Sequence, residues 1–112
     1  MSNLPKLVRD NIPNILADSG LRHDIEVLSK DDYIVALEAK LSEELNEYFE
    51  ARVSEYGDSL EELADLHEVI ISLAIALGYT SGDLDNRIYK KRRERGGFEK
   101  RILLKKIYEE ED

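Results

Sequence analysis

Four carboxylates near the middle of the chain, Glu44, Glu47, Glu62 and Asp65, have the type and spacing to hold a divalent cation. Glu44 and Glu47 stand three residues apart, as do Glu62 and Asp65. On a helix that spacing makes each pair neighbours, and like charges there repel unless something cationic sits with them. Glu44 also interrupts an apolar seam: steps of four and three from Leu37 lead to Leu41, then position 44, then Tyr48. Asp65 leads four residues on into Val69, where the longest apolar run begins, Val69 to Leu77, broken only by Ser72. Both pairs therefore face inward, and carboxylates gathered at a partly buried level are costly unless protonated or neutralised. Hard oxygen donors in this number suit Mg²⁺ or Mn²⁺. Either pair alone would read as an ordinary solvated helix face. Glu43 and Glu61 could replace the proposed ligands if the helices were rotated, and otherwise read as surface charge, as does Glu68.

Other metal chemistries fit less well. With no cysteine, thiolate zinc ligation and disulfides are excluded. Di-iron bundles place a histidine three residues after a glutamate, but the residue three before His67 is Ala64. His67 reads as a packed or interface side chain and His23 as a surface one. The acids also lack the alternation around a central glycine that an EF-hand loop requires.

Helices must position these groups. Pro13 and Gly20 predict a short helix over about 11–19. Ser29 or Asp31 can cap a long helix over about 32–55, along which Ile34, Leu37, Leu41, Leu45 and Tyr48 recur, and Gly57 ends it. Asp58 or Ser59 caps the next, to about Leu77, with Gly78 as its stop. Ser81 precedes another, running into the basic cluster Lys90 to Arg95 and closed by Gly96 and Gly97. Two long helices joined by a short turn normally pack antiparallel, which brings the two acidic pairs to one height. The expectation is a mainly all-α domain over 1–108: an antiparallel helical hairpin plus shorter helices, with a minor two-stranded pairing of 23–28 with 101–107. The acidic stretch 109–112 reads as a disordered tail. The run Val69 to Leu77 is too short to cross a bilayer and reads as a buried helix, more apolar than a hairpin and one short helix can cover. A homodimer or higher homo-oligomer, forming a helical bundle, is expected to bury it.

Bulk composition narrows the partners. Lys and Arg total 16 against 25 Asp and Glu, a formal charge of −9, which disfavours bulk nucleic-acid binding. The first residues lack the apolar stretch of a secretory signal, and the missing cysteines suit a reducing compartment; a cytoplasmic location and no membrane partner are expected.

At the four acids the chain resembles the MazG-like all-α nucleoside triphosphate pyrophosphohydrolases. Their mark is Glu-x-x-Glu on one helix and Glu-x-x-Asp on the next, here Glu44-Leu-Asn-Glu47 and Glu62-Leu-Ala-Asp65. The flanks Lys6-Leu-Val-Arg-Asp-Asn-Ile-Pro13 and Arg95-Gly-Gly-Phe-Glu-Lys-Arg101 are similar to the small phosphoribosyl-ATP pyrophosphohydrolase-like branch, so the resemblance covers nearly the whole chain. It implies Mg²⁺ held by the four acids, assembly from several subunits, and hydrolysis of a nucleotide between its α and β phosphates. The products would be a nucleoside monophosphate and pyrophosphate.

Such chemistry needs one carboxylate free to take a proton from water. Glu47, beside the seam rather than on it, is the candidate, with Glu44 next. Lys91 and Arg95, four residues apart, can hold phosphate or form a solvated helix end favoured by the dipole, and the resemblance tips them toward substrate. Lys40, one turn before Glu44, can reach phosphate or pair with a surface acid. Arg9 and Asp10 can complete the pocket or tie the N-terminus to the bundle. The alternative from another class is a non-catalytic helical dimerisation module, touching RNA through Lys90 to Arg95, with a degenerate metal site.

Overall fold

Side-chain caps decide where the three longer helices begin. The structure, a computed structural model, describes residues 4–109 and forms α1 (Ile12–Asp18), α2 (Lys30–Val53), α3 (Ser59–Ala76) and α4 (Ser81–Arg95). The Ser29 hydroxyl accepts from the Asp32 N–H at 3.3 Å, so Ser29 rather than Asp31 starts α2, two residues earlier than expected. Asp58 accepts from the Glu61 N–H at 3.1 Å and starts α3. Thr80, one residue before Ser81, caps α4 through a reciprocal capping box with Asp83, at 3.0 and 2.9 Å. Between α2 and α3, Gly57 is required by space, since a Cβ there would collide with the Ala51 backbone. After α3, Gly78 turns the chain at φ 100°, which L side chains rarely adopt.

All regular structure among the described residues is helical. The expected pairing of 23–28 with 101–107 does not form: neither segment carries a strand or bridge, and apart from Leu28 their residues are exposed. A two-stranded ribbon with no packed layer beneath it is marginal in water, and here no helix supplies that layer. Of the expected acidic tail, Glu109 is irregular and exposed, and 110–112 lie outside the described residues.

α2 and α3 pack against each other, while α4 leaves α3 at an angle of 114° and touches it more lightly. Among the described residues, α1 packs against no other helix. Leu37, Glu44 and Val69 are the buried side chains of the described residues. The run from Val69 to Leu77, expected to be a buried helix, is buried only at Val69, and Ile70, Ile75 and Leu77 are exposed. A single helix pair covers one side of α3 and leaves the other open. The radius of gyration is accordingly 19.2 Å, with extents of 72 × 39 × 22 Å. A compact domain of similar length has a radius of about 13 Å. No single helix of the described residues is long and apolar enough to cross a membrane.

Candidate metal centre

Leu37 on α2 and Val69 on α3 mark the packed junction. Glu44, two turns beyond Leu37 on the same stripe, is carried into it and is only 4% exposed. Its Oε1 meets Nζ of Lys40 at 3.2 Å; its Oε2 is buried with no hydrogen-bond partner. Oε2 of Glu62, on α3, is in the same position. A buried carboxylate oxygen without a donor loses its hydration with nothing in return, so these two atoms favour a cation or a proton beside them.

The neighbouring groups show how many acids share the deficit. One oxygen from each of Glu44, Glu62 and Asp65 lies within 4.8 Å of the other two, and the same holds for Glu43, Glu44 and Glu47. Glu44 belongs to both trios. Among the described residues, two cations pair with these five carboxylates. Lys40 reaches Glu43 at 3.4 Å as well as Glu44, and Nη2 of Arg9 meets Oδ1 of Asp65 at 2.6 Å.

Protonation equilibria follow from this imbalance. Burial, then the hydrogen-bonding and negative charge of Glu44, then Glu62, push the Glu47 carboxyl up to about 7. Glu62 is also raised, first by burial and then by the charges of Glu44 and Asp65, against a lowering hydrogen bond with Glu47. Burial pulls the Lys40 ammonium down, but contacts with Glu44 and Glu43 outweigh this and leave it above its ordinary value. The hydrogen bond to Asp65 raises Arg9 in the same sense. Ionised carboxylates can only accept; a protonated Glu47 can donate to Glu44 or Glu62 and remove one charge. A divalent ion would answer the same deficit more completely. The donors on offer are all carboxylate oxygens, with no nitrogen or sulfur in either trio, a set that fits Mg²⁺ or Mn²⁺.

The four acids picked out in the sequence thus meet around Glu44. Glu43, read as surface charge unless a rotation of the helices made it a substitute ligand, is drawn in beside Glu44 and Glu47. Glu61 stays exposed in the first turn of α3, and His67 and Glu68 are exposed too. Lys91 and Arg95 lie on the exposed surface of α4, and no hydrogen bond or ion pair among the described residues joins them to the acids. Arg9, for which the sequence left two roles open, contacts Asp65 across 56 residues of chain. No periodicity spans that separation, so the contact had no local signal.

No family model and no solved structure matches the chain. A 44-residue stretch is 48% identical to a Mycolicibacterium smegmatis protein described as uncharacterized, covering 39% of this chain and 45% of that one. The chain thus spans less than half the length of this relative, whose name states no activity.

Proposed function

We propose that the chain is a Mg²⁺-dependent nucleotide pyrophosphohydrolase, cleaving a nucleoside triphosphate or related nucleotide between the α and β phosphates. The observation that carries the reading is Glu44: a buried carboxylate with one unpartnered oxygen, at the meeting point of acids from two helices. The resemblance to MazG-like enzymes in both acidic motifs and both flanks supports it. Glu44, Glu62 and Asp65, with Glu43 and Glu47 beside them, would hold the ion. Held by these residues, Mg²⁺ would supply positive charge against the phosphates and a more acidic water.

The remaining work falls to the chain. Glu47, beside the apolar seam rather than on it, would accept the water's proton as the oxygen bonds to the α phosphorus and the pyrophosphate leaves. Lys40, held among Glu43 and Glu44, limits the repulsion between acids and phosphates. Lys91 and Arg95, free of side-chain partners among the described residues, would meet the phosphate end.

In the same reading α2 and α3 form an antiparallel hairpin that a second copy completes into a bundle. The exposed apolar side chains in the last turns of α3 and at its cap, Ile70 and Leu77 on one flank and Ile75 on the other, are the surface that copy would cover. Pyrophosphate release from a panel of nucleoside triphosphates with Mg²⁺ tests the enzyme. Activity on none, with Glu44→Ala and Asp65→Ala leaving every property intact, would leave the non-catalytic helical module; salt-sensitive RNA binding through Lys90 to Arg95 would then identify its partner.

A further inference from the structure

Arg9 belongs to the segment before α1, a part of the chain otherwise loosely attached. α1 packs against no other helix, and the bond from Arg9 to Asp65 is the one side-chain hydrogen bond that ties the residues up to Asp18 to α3 among the described residues. That single tie ends on one of the carboxylates that converge on the buried, unpartnered oxygen of Glu44. The guanidinium side chain is 58% exposed and Asp65 28%, so the contact lies at the rim of the centre, open to whatever approaches from solvent.

We propose that Arg9 is a phosphate-binding residue held in reserve on Asp65: a metal ion entering the acidic centre displaces it, and the freed guanidinium takes the polyphosphate that the metal brings. The proposal rests on the metal-centre reading above. An arginine stays charged at any working pH, so deprotonation does not release Asp65 from it and competition for the carboxylate is the route that remains at working pH and moderate salt. The competition is winnable because an ion pair this exposed contributes little. A divalent ion reaching the Glu44, Glu62 and Asp65 oxygens claims the same carboxylate. Once displaced, the planar fork of five donors stands at the rim of a centre whose own groups are otherwise almost all acidic, and it matches phosphate oxygens two at a time. The acidic centre thereby acquires an anion-binding group only when its own charge has been met.

Binding of Mn²⁺ alone, and of inorganic pyrophosphate to the Mn²⁺-saturated protein, measured by calorimetry on the full chain, tests this without turnover. In Arg9→Gln, Mn²⁺ should bind roughly three- to fivefold more tightly, because it no longer competes with an exposed ion pair. Pyrophosphate should bind at least about tenfold more weakly, because a charged fork is lost. A purely structural role would move both affinities in the same direction, and unchanged or weaker Mn²⁺ binding, or unchanged pyrophosphate binding, overturns the proposal. Arg9→Lys should keep the wild-type Mn²⁺ affinity and recover only part of the pyrophosphate binding; full recovery would show that the fork is not what binds phosphate. The metal centre is checked separately by Glu44→Gln. If wild-type protein and Glu44→Gln bind Mn²⁺ alike, or neither binds it, the centre itself is absent and the role of Arg9 goes with it. Loss in Glu44→Gln beside no change in Arg9→Gln removes only the proposal.

Discussion

Lys40 and Glu44 face each other one turn apart on α2, 3.2 Å between Nζ and Oε1, and this pair leaves the second oxygen of Glu44 buried and without a donor. A half-satisfied carboxylate inside a helix junction costs several kcal/mol unless a proton or cation completes it. Glu44→Gln removes one negative charge from the five while keeping the shape. Its thermal midpoint in a chelator is expected to hold or rise, while Mg²⁺-dependent pyrophosphate release drops at least about a hundredfold. A lower midpoint would mean that Lys40 depends on Glu44 more than the cluster suffers from it.

Glu47 makes the metal-free protein pH-sensitive in a defined direction. Its folded-state pKa of about 7 lies above the ordinary 4.5, so the folded chain binds that proton more tightly than the unfolded one. The stabilisation is complete below pH 4.5 and is lost as pH rises through 7; Glu62, also raised, acts in the same sense. Urea unfolding in chelator between pH 4.5 and 8 should show the loss, on the order of 1–3 kcal/mol after allowing for solvent screening. Glu47→Gln should flatten it. An identical slope in the variant would place the proton elsewhere.

Metal ions should act where the proton does. Mg²⁺ or Mn²⁺ is expected to raise the unfolding free energy by about 2.7 kcal/mol at a hundred times its dissociation constant. The pH slope between 4.5 and 7 should shrink with it. Asp65→Ala should blunt both effects in a thermal-shift titration. No response of the wild-type midpoint to either ion would remove the metal from this site.

The exposed apolar side chains along the end of α3 predict association. Sedimentation at micromolar concentration is expected to give a species larger than one chain. Ile75→Glu, at a position 54% exposed in the single chain, should shift it toward the monomer without lowering helix content. A wild-type chain sedimenting as a monomer would require another cover for Ile70, Ile75 and Leu77.

Much of the helical plan could be read locally. Caps and stops depend on a few residues in sequence, and so Ser29, Asp58, Gly57 and Gly78 mark boundaries to within two or three residues. The β pairing failed for the converse reason: alternation at 23–28 shows that a strand could form, but a partner and a covering layer lie outside the segment. For Val69 to Leu77, read as a helix to be buried and as more apolar than one hairpin can cover, the cover likewise lies outside the segment. Hydrophobicity states what a surface would bury, and only the arrangement of other elements says whether it is buried within one chain.

The acidic centre divides along the same line. Spacing and a broken apolar seam were enough, in the sequence by itself, to single out Glu44, Glu47, Glu62 and Asp65, because helical periodicity decides which side chains share a face. Tertiary structure alone decided that Glu43 joins them, that Lys40 bonds inward, that one oxygen of Glu44 is left without a donor, and that Arg9 reaches Asp65. Those relationships depend on how α2 meets α3 and where the N-terminal segment lies, and a repeat of three or four residues carries no information about contacts made across 56.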